Sequence, residues 1–165
     1  MRKELQKVKI GLALVLLSLA FGVGMGISFG VNEDAYKNYI AEQVQAHPQV
    51  HDEKSRDKIW RYAQRAHFHA TGIAGFSLGL IILVMFSGMK AGLKTVSAIL
   101  IGLSGFYPLS WLSMFMLAPA IGRDPAHDHF LTEMFSYIGV GGLLVGALML
   151  IANLFLGLFG EQPDN

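Results

Sequence analysis

Four long stretches of this chain carry no formal charge: 10–32, 66–89, 95–122 and 134–160. A helix that crosses a bilayer needs about 20 mostly apolar residues, so each stretch is long enough to span. The charges that do occur, 15% of residues against roughly a quarter in a soluble domain, are bunched between these runs. The pattern predicts an all-α integral membrane protein, a single membrane domain folded as a four-helix transmembrane bundle. The expected spans are about 10–31, 66–88, 95–119 and 133–159, with a polar helical connection over 32–65. The basic start, Met1 to Lys9, followed by an apolar run has the outline of a signal peptide. The run is long for a signal core and shows no small-x-small cleavage site, so it reads as a retained first span.

The chain has no cysteine, which excludes disulfides, thiol catalysis and thiolate metal sites. A net charge of +1 gives no reason to expect a nucleic-acid partner. The partners expected are the lipid bilayer and another membrane protein or a second copy, through glycine seams. Those seams are Gly22, Gly26 and Gly30 in span 1, Gly72, Gly75 and Gly79 in span 2, and Gly139, Gly142 and Gly146 in span 4. Helices in lipid associate by close packing, which small residues at such spacing permit. Pro108 is expected to kink span 3 and free the carbonyl of Ser104, with Ser110 and Ser113 near enough to help.

With four spans, the first and third connections share one face of the membrane, and with them all six histidines: His47, His51, His67, His69, His127 and His129. Absolute orientation rests on basic residues. Six lie on the N-terminal face and seven on the other, but those of the N-terminal face are denser and flank the first helix, which favours a cytoplasmic N-terminus. The location expected is a bacterial inner membrane with both termini cytoplasmic and the histidines outside.

In the long connection, Asn32 is a candidate cap for a helix carrying Glu33 and Asp34 in its first turn. Tyr36, Tyr39, Ile40 and Val44 form its apolar stripe, and Pro48 ends it. This amphipathic helix is expected to lie on the membrane or to cap the bundle on the histidine side. A second helix is expected from near Asp52 into span 2, with Trp60 and Tyr62 at the aromatic belt.

The chemistry-bearing motifs are two His-x-His pairs, His67-Phe68-His69 and His127-Asp128-His129. Neutral imidazole is a good ligand for copper, zinc and haem iron. Residues two apart on a helix point about 200° apart, so one member of each pair can face inward. Helix phase counted from the glycine seams selects His69 and His129, with Glu133 on the face of His129 as third ligand or supporting partner. His67 and His127 complete the set of candidate metal ligands.

Three readings follow. One is a haem b held between spans 2 and 4 by two histidines, with Arg61 or Arg65 binding its propionates. Another is a copper or zinc ion held by His and Glu133, with the thioethers of Met114, Met116 or Met134 available to Cu(I). The third is that these histidines are interfacial polar residues binding nothing. His47 and His51, split by Pro48, are expected to bind nothing. Hydrolytic motifs are absent, and the spans lack the interior charges that mark channels and transporters. The function expected is metal binding for electron transfer or metal handling, and the alternative is a non-catalytic accessory subunit of a larger membrane complex.

Overall fold

The computed structural model describes residues 1–160 and is 89% helical. Four helical rods are long and apolar enough to cross a membrane. The elements are α1 (Arg2–Ala46), α2 (Ser55–Phe86), α3 (Ala91–Gly102), α4 (Tyr107–Ile121), α5 (Arg123–His127) and α6 (Phe130–Leu156). Short 3-10 turns occupy Pro48–Val50 and Leu103–Phe106.

The third rod is α3 and α4 joined through the second 3-10 turn. Tyr107 N–H donates to the carbonyl of Ser104, the group expected to be orphaned by Pro108. The tighter turn thus resolves locally what proline disturbs. The Ser110 and Ser113 hydroxyls bond the carbonyls of Tyr107 and Leu109 instead. The bend redirects the rod. Its first half, α3, packs on α1, whereas its second half, α4, packs on α2, and α6 lies along both. This rod is therefore the hub of the bundle, and α6 leans on it with little other support.

Two of the glycine seams work within the chain. A Cβ at Gly139, Gly142 or Gly146 would meet the backbone or Cβ of Tyr107, Leu103 or Ile101 at under 3 Å, so α6 needs hydrogen at these positions. Gly22 likewise lies against Ala70 and Thr71 and Gly26 against the His67 ring, but Gly30 meets nothing. The span 2 seam turns the other way. Gly72, Gly75 and Gly79 are exposed, with no atom within 4 Å of a Cβ placed there. A further close approach on α1 is made by Gly11, whose Cβ would overlap the carbonyl of Ala98.

Asn32 caps nothing. It is the one non-helical residue inside α1, and its side-chain amide bonds back to the carbonyl of Ser28. The apolar stripe beyond it stands upright as a continuation of α1. Tyr36, Ile40 and Val44 pack with Trp60, Ile59 and Ala63 of α2 and with Phe115, Ala118 and Ala126, while Tyr39 faces out. The segment thus extends the packing of α1 on α2 at the histidine end. Helix α2 begins at Ser55, after a turn in which the Asp52 carboxylate accepts from the Ser55 hydroxyl and the Lys54 amide.

Candidate functional site

The span 4 helix begins at Phe130, and this one fact rearranges the histidines. His129 is its N-cap, extended in backbone, its Nδ1 accepting from the Leu131 amide at 3.3 Å. His127 ends the separate five-residue helix α5. Neither follows the helical phase that paired His129 with His69.

His67 and His69 part company as expected for residues two apart. His67 turns toward α1, its Nδ1 2.7 Å from the Gly22 carbonyl and its ring against Gly26. His69 turns toward α4, stacked on Trp111 at 5.5 Å and edge-on to Tyr107 at 5.1 Å. Its Nδ1 lies 2.7 Å from the Arg65 carbonyl. A carbonyl only accepts, so both rings donate from Nδ1. Arg65 places its guanidinium 4.7 Å from the centre of the Trp111 ring, and both it and Arg61 are exposed. Trp111 lies ten residues before the end of α4 at Ile121, about 15 Å down the helix. His69, stacked on Trp111, therefore lies a similar distance below the end of α4.

A cleft of about 260 Å3 opens between α4 and α6 at the histidine end. Its walls include the aromatic rings of Tyr107, Trp111 and Tyr137, the Met114 thioether, His127 and Glu133. Two of the five candidate ligands therefore line one cavity, His69 stands behind its Trp111 wall, and His67 and His129 are engaged elsewhere. Among the described residues, no three or more His, Cys, Asp or Glu side chains are grouped to hold a metal ion. Glu133 has no ion pair or side-chain hydrogen bond among them. His127 has Nδ1 2.8 Å from the Asp128 carboxylate, which leaves Nε2 for another partner. Met114 is buried, 3% exposed, with its sulfur side chain in the cleft wall.

The cleft floor is firmly held. Trp111 is fixed by the Arg65 and His69 stacks and by Tyr62 at 5.9 Å, although its Nε1 is buried without a partner. Such a lone donor costs about 1–3 kcal/mol, a cost the ring contacts offset. Tyr107 and Trp111 were legible as aromatics four apart on one helix face; their role as a wall was not, because nothing in the sequence names the partner helix.

Above the cleft, the first and third connections meet, as four-span topology requires. His51 Nε2 lies 2.9 Å from the Pro119 carbonyl, and Arg123 donates to Asp52 at 2.9 Å. The Ser55 hydroxyl, and then Arg123, hold the Asp52 carboxyl below the usual carboxylate range.

No protein-family model matches the chain, no curated protein matches it, and no solved structure matches it.

Proposed function

We propose that this chain is a small membrane protein that binds a copper ion in the cleft between α4 and α6, for metal handling or electron transfer. In this reading the membrane is a bacterial inner membrane, the termini are cytoplasmic, and the cleft opens on the outer side. The observation that carries the reading is the meeting of three kinds of donor in one cavity: His127, Glu133 and Met114. Glu133 is exposed and without an ion pair among the described residues, so its carboxylate is available to a cation. Imidazole and thioether beside it suit copper better than zinc, since thioether is a soft ligand. Of the expected donors the set keeps His127, Glu133 and Met114 and leaves out His67, His69 and His129.

The same geometry gives less support to haem b. The cleft falls below the roughly 300–1,000 Å3 of small-molecule pockets, and His69 and His129 do not face one another across it. Arg65 spends its guanidinium on Trp111.

The test is copper, iron and zinc content of detergent-purified protein, prepared with and without added copper. Near-stoichiometric copper supports the proposal. On a Trp60→Phe background Trp111 is the sole tryptophan, and bound Cu(II) should quench its fluorescence. His127→Ala, Glu133→Gln and Met114→Leu should each weaken binding by about tenfold or more, the scale on which even outer partners of a metal site act. Copper-free protein after supplementation would overturn the reading and leave the accessory-subunit alternative, for which the outward glycines of α2 are the remaining support.

A further inference from the structure

Helix α5 carries His127, yet at five residues it is far too short to hold itself. Isolated helices under about 12–15 residues are marginal even in favourable sequences. Two sets of contacts fix it. On the α6 side, the Thr132 hydroxyl donates to the Ala126 carbonyl at 2.8 Å, and Ala126 is fully buried. On the other side stands the first connection, three of whose residues converge on the α4–α5 joint.

The last four carbonyls of a helix have no partner within it. At the end of α4, Ala118 O receives the Gly122 amide, and Pro119 O receives the His51 imidazole across 68 residues of sequence. Gly122 makes the turn into α5 with φ +88, and the Val50 Cβ and carbonyl stand 3.2 Å from where its Cβ would be. Asp52, held by the Ser55 hydroxyl, takes the Arg123 guanidinium at the first residue of α5. The His51 ring carries its proton on Nε2 to make this bond, and its Nδ1 is buried without a partner. A buried acceptor left empty is tolerated here so that the other nitrogen can reach Pro119.

We infer that His51, with Asp52, is a positioning latch: it holds α5 over the cleft, and so sets where His127 sits and how tightly the site binds its ion. This deepens the copper reading and rests on it. The connection that seemed chemically idle in the sequence becomes the place from which the site is controlled.

The natural absence of cysteine gives a clean test. A spin label on Asp124→Cys reports α5, and one on Val145→Cys reports the exposed face of α6 as control. Without added metal, His51→Ala should raise the mobility of the label at 124 and leave that at 145 unchanged. His51→Gln, whose amide donor can take the place of Nε2–H, should restore the ordered signal. Arg123→Gln, a change at the solvent end of the latch, should loosen the same label without disturbing the helices seen by circular dichroism. With copper, His51→Ala should weaken binding roughly tenfold and reduce the nitrogen coupling of bound Cu(II), the same direction expected of His127→Ala. A label at 124 that stays immobile in His51→Ala sinks the latch whether or not the protein binds copper. A loosened label with unchanged copper affinity shows that the latch does not govern the site, and also overturns the inference. If the unaltered protein binds no copper, the copper reading fails while the label still decides the latch.

Discussion

Lys94 directly precedes the third uncharged stretch, yet it is 6% exposed on the first turn of α3. Burying an ammonium is tolerable only with partners. Its Nζ donates to Glu4 at 2.7 Å and to the Met85 carbonyl at 3.0 Å, which ties the start of α1 to the end of α2. Glu4 also receives Lys7 at 2.6 Å. The hydrogen bonds from Lys7 and Lys94 lower its pKa from 4.5 to about 2. A depressed carboxylate contributes its full stability above its ordinary pKa and loses it as pH falls toward the folded value. Between about pH 4.5 and 2, unfolding of the wild type in mixed micelles should therefore become easier faster than that of Glu4→Gln. At neutral pH, Glu4→Gln should be less stable than the double variant Glu4→Gln/Lys94→Met, because the single change leaves a buried cation short of its counter-charge.

At the scale of elements, the glycines of α6 and α2 make opposite predictions. A methyl at Gly139 would stand 2.4 Å from the Tyr107 amide nitrogen, a backbone atom that cannot step aside. Gly139→Ala should push α6 off α4 and cost about 1–3 kcal/mol, the range for overpacking. Gly75→Ala meets open space and should be neutral or stabilising by up to about 1 kcal/mol through helix propensity. Denaturation in detergent-SDS mixtures would separate them, and a large loss in Gly75→Ala would count against the outward placement of that face. The contrast explains what was legible. Apolar length announced all four rods, and the glycine repeat of α6 named its packing face. The same repeat in α2 could not say which way it pointed, because in lipid both faces of a helix are apolar and the usual inside-outside contrast is lost. The histidine pairing counted helical phase back through 127–129, but α6 starts at Phe130 with His129 as its N-cap and His127 belongs to α5, so neither lies in the helix whose phase was counted. Glu133 and His127, both named from the sequence, line one cleft, and the contact of His51 was passed over because a side chain reaching a carbonyl 68 residues away leaves no local trace.

For the whole molecule, the pinning of the first connection to the third fixes both on one face. Single cysteines at Glu53 and Asp124 should react together with a reagent that cannot cross the membrane, and a cysteine at Lys90 should react only from the opposite side. All three positions are exposed. In sealed vesicles of known orientation, reaction of Glu53→Cys and Asp124→Cys from different sides would refute the four-crossing arrangement. The third rod holds the other three together, and α6 touches little besides that rod. This has a bearing on how the protein is made. Helices α1 and α2 share their long interface and can pair as soon as both have left the ribosome; the bent third rod then finds its two halves already waiting on different neighbours. The last helix to emerge closes the cleft, so a half-finished chain lacks this cavity altogether.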